Sequence, residues 1–168
     1  FEPGSTLKPF TIAAALESGK YSPGSVIDTT PGVLQVGDRT FRDVHNYGVL
    51  TVAGVIGKSS NVGISKIALT LNKKNMWDIL HQAGFGQPTG VQLPGEVSGL
   101  LNPYSKWVPV DQASISFGYG ISVTPLQLAR AYLAIANDGL ALPVTLQHTE
   151  TVAPGERIMS AKTARRLR

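Results

Sequence analysis

The chain has 168 residues, 42% of them hydrophobic and 15% charged, with a formal net charge of +4 and no cysteine. That length suits one ordinary domain with its own core, and so much apolar content excludes a disordered charged tail. The absence of cysteine excludes disulfides, thiolate nucleophiles and thiolate metal sites, and the mild basicity, with no long basic block, no RNA-binding aromatic signature and no Cys/His finger, argues against nucleic acid as a partner.

In chain order, PGSTLKPFTIAAALESGK predicts a first helix. Pro3 and Gly4 form the turn into it, Ser5 lies near its start, Ile12, Ala13 and Leu16 give an apolar face, and Gly19 ends it. Pro9 is tolerated because the first turns of a helix lack intrahelical acceptors for their N–H groups. The next stretch, to about residue 48, is dense in Gly, Pro, Asp and Thr with short alternating runs such as VLQV, and predicts small strands and loops that cover part of the same domain. Val52, Val55 and Ile56 predict a short helix, and Ile64, Ile67, Ala68 and Leu71 a longer one after a junction at residues 58–61. NMWDILHQAG predicts another short helix ending at Gly84, and PVDQASISFGYG one more before its glycines. TPLQLARAYLAIANDG has the strongest signature: Thr124 as cap, Pro125 at the first helical position, Gln127 completing a capping box, and Asp138-Gly139 as stop. A last helix starts at Ser160. The expected total is five or six helices with short strands between, no internal repeat and no long linker. No run is as long as a membrane span. The chain opens at a turn and closes on KTARRLR in mid-helix, which leads to the expectation of a piece of a larger polypeptide.

Two motifs carry candidate chemistry. In Ser5-Thr6-Leu7-Lys8 the serine and lysine are three apart, so on a helix Ser5 Oγ and Lys8 Nζ share a face. A serine hydroxyl needs a neighbouring base, and a lysine serves only if burial or nearby positive charge lowers its pKa. The Ser5 N–H sits where helical N–H groups lack partners, available to a developing oxyanion. Such a triplet arises by chance about once in a chain of this length, and a cap at Ser5 with an exposed lysine is the plainer reading. The second motif is KSSNVG. Ser59, Ser60 and Asn61 fall between two helices, where such residues ordinarily cap; Ser59 and Asn61 can also present both side chains to one pocket.

Taken together and in order, EPGSTLKPF, FRDVHNYGVLTV, SSNVG, GFGQPTGVQLPGE and SFGYGISVTPLQLARAY resemble the transpeptidase domain of class B penicillin-binding proteins, nearest the cell-division type (FtsI or penicillin-binding protein 3). The resemblance spans essentially the whole chain. It implies an α/β (α+β) penicillin-binding and serine β-lactamase-like transpeptidase fold, of which residues 1–168 are a central, mostly helical part with short strands. By resemblance Ser5 is the nucleophile that forms an acyl-enzyme, Lys8 its base, Ser59 a proton relay and Asn61 the group that bonds both Lys8 and the acyl-side amide of the substrate. Ser60, Gly118, Tyr119 and Gly120 are implied as substrate-binding or cleft support. The implied reaction is peptidoglycan D,D-transpeptidation at the division septum: the enzyme expels the terminal D-Ala of a stem peptide and passes the acyl group to an amine of a neighbouring stem, and β-lactams acylate the same serine. No cofactor is implied and no metal. The implied partners are peptidoglycan stem peptides, β-lactams, and a division glycosyltransferase with other divisome membrane proteins, at the periplasmic face of the bacterial inner membrane.

The family's third element, K-[ST]-G-[ST] on a cleft strand, is not found between residues 1 and 168; Lys162-Thr163-Ala164 continues into arginines and predicts helix. The expectation is that this strand lies beyond Arg168, that an anchor and pedestal lie upstream, and that the central sheet is largely outside these residues, leaving one apolar face exposed. Two rival readings use the same front end: a β-lactam hydrolase or sensor, for which Glu96 is a candidate water-activating carboxylate, and a non-catalytic scaffold. His45, His81 and His148 show no ligand spacing, Trp77 and Trp107 read as packing residues, and Arg42 and Asp43 as loop residues that can pair, with surface or supporting roles expected.

Overall fold

Helix α1 (Lys8–Glu17) is apolar on every side, and the fold is organised around it: Phe10 through Leu16 are all buried. A computed structural model of the chain describes every residue except Gln92, Thr149 and Val152. Gln92 belongs to the GFGQPTGVQLPGE stretch, and that part of the expectation lies outside the described residues. Around α1 pack α2 (Val52–Gly57), α3 (Asn61–Thr70), α4 (Lys73–Gln82) and α7 (Ala161–Leu167). Helix α5 (Pro109–Ile115) lies on α3, and α6 (Pro125–Ala136) on α7. The described residues form seven α-helices, one at each segment the sequence marks as helical and so one or two above the expected total of five or six; the short pieces α2 and α5 are stabilised by packing more than by length.

The strands are short and antiparallel. β1 (Val26–Asp28) pairs with β4 (Val49–Thr51), β2 (Val33–Val36) with β3 (Arg39–Arg42), and β5 (Leu140–Ala141) with β6 (Glu156–Arg157). This is an α+β arrangement, a helical body with small two-stranded sheets. The β2–β3 hairpin includes the VLQV run, and its turn packs on α5, where a Cβ at Gly37 would meet Val110 Cγ2 at 3.1 Å.

Several caps are those the sequence announces. Thr124 Oγ1 accepts from Gln127 N (3.1 Å) while Gln127 Oε1 accepts from Thr124 N (2.7 Å). The buried Gln127 amide also donates to the Gln87 and Ser98 carbonyls, tying the 87–98 loop to α6. Ser160 caps α7. Trp107 is buried, and both Trp77 and Trp107 donate from Nε1 to the Asn102 carbonyl, at 3.1 and 3.0 Å. Leu126 and Leu133 on the outer face of α6, with Leu142 just after β5, line a groove, and Leu133 is 66% exposed. Among the described residues no helix is long and apolar enough to cross a membrane.

Candidate active site

The turn that carries Ser5 departs from the expected simple helix start. Residues Gly4–Leu7 form a 3₁₀ turn, and α1 begins only at Lys8. The cause is Pro9. It has no N–H to return to the Ser5 carbonyl, and Lys8 N bonds that carbonyl instead. The turn is fastened from three sides. Gly4 N donates to Gly118 O (3.1 Å), Gly120 N donates to Glu2 Oε1 (2.9 Å), and Tyr132 Oη donates to Thr6 O (2.9 Å). Gly118 has no alternative here: a Cβ would run into the Gly4 backbone, and its φ of +86° suits glycine. Gly118 and Gly120 thus support the Ser5 turn, while Tyr119 stands beside it, 51% exposed.

The α2–α3 junction supplies the opposite wall. Ser60 N reaches back to Val55 O and Ser59 N to Ile56 O, both 2.9 Å, which is the pattern of a helix closed by a left-handed residue. That residue is Ser59, with φ of +54°, and Gly57 before it keeps an ordinary φ. A serine in this region costs about 1–2 kcal/mol that a glycine would not. Ser60, fully buried, is the cap of α3: its Oγ accepts from Gly63 N (2.8 Å) and donates to Asp43 Oδ2 (2.6 Å). Of the two roles expected for Ser60 its position allows support, since the hydroxyl is engaged and closed off from any substrate.

Between the two walls lies Lys8, only 2% exposed. Its Nζ donates to Ser59 O (2.6 Å), Ser59 Oγ (2.9 Å) and Asn61 Oδ1 (2.9 Å). Ser59 Oγ in turn bonds Ser5 Oγ at 3.0 Å. The expected direct approach of Lys8 to Ser5 is therefore replaced by a chain Lys8–Ser59–Ser5, because the lysine reaches across to three acceptors on the junction. Ser5 and Ser59 are exposed above the buried amine, so an incoming group meets the hydroxyls first. Asn61 Nδ2 donates to Arg42 O (3.2 Å), which leaves one amide hydrogen and one Oδ1 lone pair for a ligand.

Burial pushes the Lys8 pKa down from 10.5 to about 8, against the opposing pull of the Asp43 carboxylate. At neutral pH a usable fraction of the amine is unprotonated, about a tenth at one unit below its pKa. Asp43 takes the supporting role that the sequence reading allows it. It forms no ion pair with Arg42; it accepts from Ser60 Oγ and from Val62 N (3.0 Å), holding the start of α3 that presents Ser59 and Asn61. An acidic residue directly after β3 was the available signal, but nothing local distinguishes partners as distant in sequence as Ser60 and Val62.

Other candidates lie apart. The Glu96 carboxylate is engaged by Thr89 N (2.7 Å) and Thr89 Oγ1, which hold its pKa below the usual carboxylate range. His81 stacks on Trp77 with ring centroids 4.3 Å apart, and His45 meets Tyr47 edge-on. No metal-holding cluster occurs among the described residues.

An α+β body in which two helix starts bring Ser-x-x-Lys and Ser-x-Asn together has the architecture of the penicillin-binding transpeptidases. The family description "Penicillin binding protein transpeptidase domain" matches residues 1–168, and the chain belongs to this family. It is 43% identical over 167 residues to "Probable peptidoglycan D,D-transpeptidase PenA" of Neisseria flavescens, covering 99% of this chain and 41% of that protein. It is 41% identical over 158 residues to "Peptidoglycan D,D-transpeptidase FtsI" of Escherichia coli, covering 94% of this chain and 26% of that protein. The apo transpeptidase-domain structure of Burkholderia pseudomallei penicillin-binding protein 3 superposes with a TM-score of 0.95 at 42% identity, over 99% of this chain and 51% of that one. The chain thus spans well under half the length of these two curated relatives. They include PenA as well as FtsI, so they do not single out the cell-division type.

Proposed function

We propose that the protein to which this chain belongs is a serine D,D-transpeptidase of peptidoglycan, with Ser5 as nucleophile. The observation that carries the proposal is the hydrogen-bonded chain from a buried, pKa-lowered lysine through Ser59 to an exposed Ser5. Once Lys8 is unprotonated, the chain can reverse its polarity: Ser5 donates to Ser59 Oγ, and Ser59 donates to the amine. Ser5 Oγ then bonds the acyl carbon of a stem peptide while its proton passes to Lys8. As the bond to the terminal D-Ala breaks, the proton returns along Ser59 to the leaving nitrogen. An amine of a second stem attacks the resulting ester, gives up a proton along the same chain, and restores Ser5. Asn61 orients the donor through its free amide hydrogen and lone pair. The Ser5 N–H provides one oxyanion donor, and a K-[ST]-G strand elsewhere in the whole protein provides the other.

β-Lactams acylate the same oxygen in this reading, and septal cross-linking beside a division glycosyltransferase, at the periplasmic face of the inner membrane, is the cellular role it implies. The test is covalent labelling of the full-length protein by a fluorescent penicillin. Persistent label located on Ser5, abolished in Ser5→Ala, is the expected result. Full labelling of the Ser5→Ala protein would remove Ser5 from the reaction, and rapid loss of label from the parent would favour a hydrolase.

A further inference from the structure

The turn that carries Ser5 is held by ties other than a cap. The residues at the cap positions of the turn and of α1 are Pro3 and Leu7, whose side chains have no acceptor. A capping oxygen would sit against the open N–H groups, in the place that an oxyanion needs. The ties come instead from both flanks of Ser5. Before it, Gly4 N donates to Gly118 O at 3.1 Å, and Glu2 Oε1 accepts from Gly120 N at 2.9 Å. After it, Tyr132 of α6 donates from Oη to Thr6 O at 2.9 Å, across 126 residues of chain. This last bond meets the turn on its carbonyl side and leaves the N–H side open.

The Tyr132 ring has a fixed seat. Thr6 and Phe10 are four residues apart and lie on one face, and Tyr132 spans that interval. Its ring meets Phe10 edge-on with centroids 5.6 Å apart, and Phe10 meets Phe85 in the same way at 5.4 Å. Phe10 and Phe85 are fully buried, while Tyr132 itself is 39% exposed. Burial holds the Tyr132 hydroxyl above its ordinary pKa of 10.0, so it remains a donor through the range in which Lys8 titrates. We propose that Tyr132 is a positioning residue for acyl transfer: by holding the Thr6 carbonyl it keeps Ser5 Oγ within reach of Ser59 Oγ. The inference rests on the acyl-transfer reading and adds to it a residue outside the Lys8–Ser59–Ser5 chain. A turn released at Thr6 lets Ser5 wander, and only the fraction of molecules with Ser5 on the relay can react. First binding of a ligand is spared, because Asn61 lies on the opposite wall with its own supports.

The experiment follows acylation of the full-length protein by benzylpenicillin at increasing concentration, which separates first binding from the covalent step. Tyr132→Phe keeps the ring on Phe10 and removes the donor. The covalent rate constant should fall about three- to tenfold, the worth of one ordinary hydrogen bond, with the dissociation constant of first binding unchanged. The rising limb of the pH profile should stay near pH 8, since the Lys8 Nζ partners all belong to the α2–α3 junction. Tyr132→p-aminophenylalanine returns an N–H donor to the same place and should recover the lost rate. An unchanged rate in Tyr132→Phe overturns the inference. So does a loss that the amino variant leaves uncorrected, a loss confined to first binding, or a displaced pH limb. Failure of benzylpenicillin to acylate the unaltered protein would overturn the acyl-enzyme reading itself, and this inference with it.

Discussion

Two helix starts in this chain hold serines in similar sequence settings, and the fold uses them differently. Before α7, Ser160 Oγ accepts from Thr163 N (3.1 Å) and donates to Glu17 Oε1 (2.7 Å), joining α7 to α1. Before α3, capping falls to Ser60, and Ser59 is held at a φ of +54° with its hydroxyl between Ser5 and Lys8. Ser160 satisfies the backbone and gains stability. Ser59 gives up stability in a conformation that serine resists, and its hydroxyl points at a buried amine. Backbone strain, more than residue type, separates the two.

That contrast can be broken or sharpened by substitution. The largest effect is expected at the far end of the chain from Ser5. Lys8→Ala removes the base and should slow penicillin acylation by about 10²–10⁴-fold, read by stopped-flow labelling; an unchanged rate would take Lys8 out of the mechanism. Ser59→Gly comes next. It relieves the left-handed strain and deletes the relay, so acylation should fall about 10²-fold while stability in urea is unchanged or higher by up to about 1 kcal/mol. A parallel loss of both would mean that Ser59 is structural, like Ser160.

Asp43→Asn should act on the pH dependence. The unprotonated amine is the reactive form, so acylation rises with pH through the Lys8 pKa of about 8 and flattens above it. The Asp43 carboxylate favours the ammonium, and its removal should move the rising limb to lower pH. A limb that stays in place would show that Asp43 acts on the position of α3 alone. The smallest effect belongs to Ser160→Ala, which should cost about 1 kcal/mol of stability and leave acylation as it was.

Much of the scaffold was legible because local signals decide it. The Thr124–Gln127 box, Pro125, the Ser160 cap and the Gly19 stop stand where the pattern puts them. Ser5, Lys8, Ser59 and Asn61 could be singled out as candidates, and the fold brings them within hydrogen-bonding reach of one another. What stayed hidden depends on long-range geometry or on exceptions to propensity. Gly57 is the better helix stop by composition, yet the chain turns at Ser59. Asp43 reads as the neighbour of Arg42, and only the fold shows it under Ser60 and Val62. The relay through Ser59 depends on Lys8 reaching across to the α2–α3 junction, a long-range contact that helical spacing alone conceals.

The central claim is that burial keeps the Lys8 amine available as a base next to two hydroxyls. A ¹⁵N NMR titration of Lys8 Nζ in the full-length protein, assigned by its loss in Lys8→Met, tests it most directly. The account predicts a midpoint near pH 8. A midpoint at the ordinary lysine value of 10.5 would contradict it.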